Sequence, residues 1–271
     1  MNYIEITIPA TDQEIKDQII AALADIGFDG FEETDDAVKS FIIEDDFNES
    51  ELTQLLELHH LSFTKSIIQK QNWNKLWESN FEPVIVDDFV SIRADFHKPV
   101  KGVEHEILIT PKMSFGTGHH ATTFMMMQLM RNINFSNKSV FDFGTGTGIL
   151  AILAEQLGAS EILAADNDDW CIENALENVQ KNSCTQISVK KVDSAQLHQQ
   201  FDVVIANINK HIILANIDFL SADIVKGGQI LLSGLLKEDE QDIVFACNNI
   251  GWTHVQTIEK ANWIALNFIN Q

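Results

Sequence analysis

The segment VFDFGTGTGILA (140–151) constrains the fold of this 271-residue chain more than any other. The apolar run into Asp142 and Phe143 reads as a strand, Gly144, Gly146 and Gly148 as a tight turn, and the stretch from Ile149 as a helix. A strand that passes through glycines straight into a helix belongs to a sheet covered by helices. Its turn lies at the carboxyl edge of the strands, where such sheets bind ligands. Glycine serves there because φ is positive or because another group crowds the backbone. Free N–H groups at the helix start also offer donors to a polar ligand. Taken alone, the turn fits a nucleotide site and a purely structural bend equally well.

The segments around it repeat the alternation. Strands are expected at 139–143, 161–166, 186–192, 201–208 and 228–234, with helical stretches between them and a closing strand pair in 252–269. This predicts an α/β, Rossmann-like domain with a mostly parallel, seven-stranded sheet over residues 97–271. Residues 1–70 alternate differently. YIEITI, a helix over 12–27 capped by Thr11 or Asp12, a hairpin across Asp35-Asp36, a second helix at 49–59 and a last strand give the order β-α-β-β-α-β, a small ferredoxin-like α+β domain. Between the two, residues 71–96 are expected to form a helical linker. Trp73, Trp77 and Phe81 recur every four residues, which places them on one face, and Pro83 stops the helix.

Composition narrows the partners. The formal charge is −22, and residues 1–70 hold 16 Asp and Glu against 4 Lys, so the first quarter carries more than half of the excess. Such a surface repels a phosphate backbone, so no direct nucleic-acid binding is expected, and it attracts a basic partner. Solvation alone also accounts for acidic charge. No apolar run approaches the roughly 20 residues of a bilayer span. Nor does the N-terminus have the pattern of a signal peptide. With three scattered cysteines this predicts a cytoplasmic protein with reduced thiols. A monomer is expected because no stretch reads as a self-association helix.

Two registers compete for the glycines. From Gly146 the segment is G-x-G-x-x-A with Asp166 20 residues later, the dinucleotide-binding spacing. From Gly144 it is D-x-G-x-G-x-G, the arrangement of methyltransferases. In both, Asp166 accepts from ribose hydroxyls. Asp142 favours the second, because a carboxylate repels a pyrophosphate and suits the ammonium and sulfonium of S-adenosylmethionine. Asp193-Ser194 follows the third strand, where an adenine edge would lie. Asn207 ends the fourth strand over the middle of the cleft; the competing reading makes it the cap of the next helix. Upstream, the loop FGTGHH reads as a lid. No metal site is expected at His119-His120, since adjacent histidines rarely converge on one ion. Met125–Met127 read as core.

MSFGTGHHATT (113–123), VFDFGTGTGILAILAEQLGA (140–159), Asp166 and VIANI (204–208), with the W-x-x-x-W-x-x-x-F-x-P linker, resemble the methyltransferases of ribosomal protein L11, the PrmA family. The resemblance covers essentially the whole chain. It implies a class I, S-adenosylmethionine-dependent methyltransferase core behind a substrate-recognition domain. It also implies a basic ribosomal protein whose lysine side-chain and α-amino nitrogens are methylated. Mapped by motif, Thr123, Gly144, Asp166 and Asn207 contact S-adenosylmethionine, together with Gly146, and Phe115 and His120 line the site. Asn207 is also expected to orient the acceptor nitrogen. Rival readings are a methyltransferase of the same core acting on another protein, an RNA or a small molecule, an NAD(P)-dependent oxidoreductase, and a non-catalytic binder of S-adenosylmethionine.

Overall fold

The computed structural model describes residues 2–58, 61–68, 81–111 and 116–271. The chain divides into two compact units, Met1–Trp77 and Glu78–Gln271.

In the first unit, β1 (Tyr3–Pro9), α1 (Gln13–Asp25), β2 (Gly30–Glu33), β3 (Ala37–Ile43), α2 (Glu49–Leu58) and β4 (Thr64–Ile68) follow the expected β-α-β-β-α-β order. The sheet runs β2-β3-β1-β4 with every pairing antiparallel. On β1 and β3 the alternation does what period two requires. Ile4, Ile6, Ile8, Val38 and Ile42 face a core shared with Ile19 and Leu23 of α1 and Leu52 and Leu56 of α2. Asp12 caps α1 by accepting from the Ile15 N–H at 3.1 Å.

The second unit holds the large sheet. Its strands are β8 (Ser139–Phe143), β9 (Glu161–Asp166), β10 (Ile187–Lys191), β11 (Phe201–Asn207), β12 (Ile224–Leu236), β13 (Trp252–Lys260) and β14 (Trp263–Asn270), in the order β10-β9-β8-β11-β12-β14-β13. The first five strands in that order run parallel, and β14 is antiparallel to β12 and β13. Strand order reverses between β8 and β11, and the carboxyl ends of these strands open a crevice there. The helices α3 (Ala121–Met130), α4 (Ile149–Gln156), α5 (Asp169–Lys181), α6 (Lys210–Ala222) and α7 (Glu240–Asn249) accompany the sheet. Met125, Met126 and Met127 are buried in the core, as expected. Among the described residues, no helix is long and apolar enough to cross a membrane.

The helical linker does not extend across 84–96. Val84–Val86 (β5) and Val90–Ala94 (β6) are strands, and with His105–Ile109 (β7) they form a three-stranded sheet in the second unit. Two short β-branched runs favour strands, and all five side chains of β6 are buried. The charge inside β6 is offset by a bidentate pair, Arg93 Nε and Nη2 each donating at 2.8 Å to the Glu106 carboxylate on β7. Trp73 and Trp77 lie outside the described residues. Phe81 is buried, with its ring 4.8 Å from that of His119.

Candidate active site at the strand-order reversal

A cavity of about 650 Å³ lies at the carboxyl ends of β8, β9 and β11. Its first wall is the glycine turn. The N–H groups of Gly144 and Thr145 both donate to the Ala165 carbonyl, at 2.8 and 2.9 Å. The Gly146 N–H donates to Asp166 Oδ2 at 2.9 Å, and the Asp168 N–H to Asp166 Oδ1 at 3.1 Å. Asp166 thus ties the turn to the start of α5 and keeps lone pairs on both oxygens for a ligand. Asp168 caps α5 by accepting from the N–H groups of Trp170 and Cys171.

Gly144 has φ +77° and no room for a side chain, because a Cβ there would stand 2.2 Å from Ile208 Cγ2. Gly234 presses on the same residue from β12, where a Cβ would meet the Ile208 carbonyl oxygen at 2.3 Å. The glycine of the turn therefore answers to a protein neighbour as well as to any ligand.

Asp142 is placed differently from the sequence reading. It is 1% exposed and absent from the residues lining the cavity, so it faces no ligand. Its carboxylate accepts from the Thr145 hydroxyl at 2.6 Å beneath the turn. Burial pushes its pKa up to about 7; the Thr145 hydrogen bond opposes this, and the negative charge of Asp166 adds to it. It braces the turn, and the preference for a cationic ligand has to rest on other groups. The lining supplies them: Asp166, Asp168 and Asp193 contribute carboxylates, and no lysine or arginine is among the described lining residues.

Opposite the turn stands Asn207, at the end of β11. Its Nδ2 donates to Thr123 Oγ1 at 3.2 Å, and its Oδ1 is buried without a hydrogen-bond partner among the described residues. The capping alternative fails, because Asn209 caps α6 by accepting from the Ile212 N–H at 3.2 Å. Neither Asn209 nor Lys210 is free to act alone: Lys210 pairs with Asp239 at 3.0 Å and with Asp242 at 2.6 Å.

His120 caps α3. Its Nδ1 lies 2.7 Å from Thr122 Oγ1, and its ring sits edge-on at 4.6 Å from Trp263. His119 turns elsewhere, with Nε2 3.0 Å from the Glu82 carbonyl. Among the described residues no cluster of three His, Cys, Asp or Glu could hold a metal.

The structure thus gathers Thr123, His120, Gly144, Gly146, Asp166 and Asn207 around one cavity, and Asp193 with them. Phe115 lies outside the described residues. Sequence reasoning missed Trp263, which follows the turn at Ala261 and Asn262, both with positive φ. It also missed Thr147, whose hydroxyl donates to the Gly116 carbonyl at 2.6 Å and ties the segment before α3 to the glycine turn. The pattern N-W in a β-hairpin carried no sign of a cavity. The paired GTG tripeptides at 116–118 and 144–146 were visible without their partnership.

Comparison with known proteins supplies the lineage. A family profile described as Ribosomal protein L11 methyltransferase (PrmA) matches residues 29–271. Curated proteins called ribosomal protein L11 methyltransferase are similar along nearly their whole lengths. The one from Phocaeicola vulgatus is 36% identical over 99% of each chain, and the one from Porphyromonas gingivalis is 38% identical over 93% of this chain and 90% of its own. A crystal structure of ribosomal protein L11 methylase from Lactobacillus delbrueckii subsp. bulgaricus superimposes with a TM-score of 0.65 at 28% identity, covering 70% of this chain and all of its own. The chain belongs to the ribosomal protein L11 methyltransferase (PrmA) family.

Proposed function

We propose that this protein transfers methyl groups from S-adenosylmethionine to amino nitrogens of ribosomal protein L11, on lysine side chains and on the α-amino group. The observation that carries the reading is the sign of the cavity lining. Three carboxylates and no described lysine or arginine suit a ligand with an ammonium and a sulfonium, and they oppose the pyrophosphate of a dinucleotide. The oxidoreductase reading finds no support there.

The residues present fit the donor. Asp166 has acceptor capacity for ribose hydroxyls, Val192 and Asp193 line the side toward β10, and Gly144 and Gly146 put no side chain into the cavity. S-adenosylmethionine supplies a methyl group on a cationic sulfur, already activated for displacement. What the chain adds is position, which accounts for much of the rate in such a transfer.

Asn207 is the residue we assign to the acceptor nitrogen. Thr123 holds its amide nitrogen, which leaves a buried carbonyl oxygen as an acceptor for one N–H. A lysine must be neutral before it attacks, and with a reference pKa near 10.4 that costs ~4 kcal/mol at about pH 7.4. A carboxylate beside it would raise this cost. The sheet order supports the assignment: the lining carboxylates follow β9 and β10, while Asn207 ends β11, with β8 between. No residue is assigned as a strong general base; the amine loses its proton to solvent. The acidic first unit recruits the basic substrate protein, and the enzyme acts as a cytoplasmic monomer without nucleic-acid contact.

Two measurements test this. Titration of tryptophan fluorescence with S-adenosylhomocysteine and with NADH should show saturable quenching by the first alone. Incubation with methyl-labelled S-adenosylmethionine and purified L11 should place label on L11. Binding of NADH alone would overturn the cofactor assignment, and binding without label on L11 would overturn the substrate.

A further inference from the structure

We propose that the groove between α1 and α2 is the docking site for an aliphatic side chain on a basic segment of the protein substrate. The assignment rests on the methyltransferase reading above. Ile15, Gln18, Ile19 and Ala22 of α1 and Leu55 and Leu56 of α2, with Leu61, enclose about 160 Å³. That is close to the roughly 150 Å³ of an apolar cavity that takes one benzene-sized group, and well below a cofactor pocket. Ile19 and Leu56 form the buried floor, while Ile15 remains 43% exposed at the edge, a large side chain left in water.

The exposed charges described on the two helices have one sign. Both helices carry exposed carboxylates, Asp17 and Asp25 on α1 and Glu51 and Glu57 on α2. The single basic residue on the two helices, Lys16, is 6% exposed, and its Nζ donates to the carbonyls of Thr34 and Asp35, at 2.6 and 3.3 Å. Its charge is spent on the β2–β3 turn. Neither helix has a basic residue in its last turn. An apolar slot on an acidic helix pair complements a segment that combines lysines or arginines with one protruding Leu, Ile or Met. The acidic helices guide the encounter, and the slot supplies the contact that excludes water.

The test uses the full chain with L11 as substrate. Ala22→Leu fills the slot, and Ile15→Ser removes its exposed wall at a position where the fold tolerates polarity. Tyr3→Ser, on the opposite sheet face, is the control, and thermal melts verify that each variant is folded. Both groove variants should raise KM for L11 about tenfold, with kcat and S-adenosylhomocysteine affinity unchanged. The control should leave all three unchanged. Wild-type KM should also rise with added salt, as expected of an acidic docking unit. If wild type methylates L11 and both groove variants keep its KM, the groove assignment is wrong. If only Tyr3→Ser raises KM, the substrate docks on the sheet face instead. If wild type places no methyl group on L11, the substrate reading fails and the groove assignment falls with it.

Discussion

At the carboxyl edge of the large sheet, Asp142, Thr145, Gly146 and Asp166 are held by hydrogen bonds of 2.6 and 2.9 Å, and a Cβ on Gly144 would collide with Ile208. On the helix layer of the first unit, the slot between α1 and α2 is lined by aliphatic side chains apart from Gln18. The first surface fixes polar groups in place; the second offers shape and a field. The difference follows from what each receives. A small polar ligand is recognised by a few groups whose geometry cannot relax. A protein is recognised by area, an apolar anchor and charge, which many sequences can provide. Mutations should therefore separate the two regions kinetically.

The largest separation is expected from removing the first unit. A chain lacking residues 1–70 should bind S-adenosylhomocysteine normally and lose methylation of L11 by about a thousandfold or more in kcat/KM, since the remaining contact is the cleft alone. Normal methylation by that truncation would break the division of labour. Next comes Asn207→Ala, which should lower kcat on the order of 100-fold at saturating cofactor, the loss typical of a mispositioned reactant. Full turnover would remove Asn207 from the acceptor. A smaller effect is expected at Asp166→Ala. Cofactor affinity, read by calorimetry, should weaken about tenfold to a hundredfold through lost charged hydrogen bonds.

Asp142→Asn should change turnover least, because the residue supports the turn without touching the cavity. Its signature is pH. The folded carboxyl titrates at about 7 against an ordinary 3.8, so the folded state holds the proton more tightly. The cost of the buried charge is absent below about pH 4, grows as pH rises, and is complete above about pH 7. Wild-type stability should thus decline between those limits relative to Asp142→Asn, as thermal melts across pH will show. Parallel curves would mean that Asp142 is ionised without penalty.

How much of this was legible beforehand depended on whether a feature was local. The strands at 139–143 and 161–166 were readable to the residue, because the large sheet buries their apolar runs, which are bounded by glycine or a helix cap. The hairpin at Asp35-Asp36 was readable from its turn chemistry. The β5-β6-β7 sheet was not. Val90–Ala94 carries an arginine in a short run, and its burial depends on Glu106 across a parallel pairing that no local pattern announces. In the site, Asp166 and Asn207 were found because they end strands. The role of Asp142 was misread: its position in the motif was clear, but the direction of its side chain follows from burial under Thr145. Trp263 and the Thr147–Gly116 link arise only when distant segments meet.

Methyl transfer from S-adenosylmethionine to L11 is the activity that joins the two regions. Intact-mass spectrometry of L11 after incubation with the full chain and S-adenosylmethionine tests it most directly. Mass gains in steps of one methyl group are expected, mapping on digestion to lysine side chains or the α-amino group. An unchanged mass, with S-adenosylmethionine binding verified in the same preparation, would contradict it.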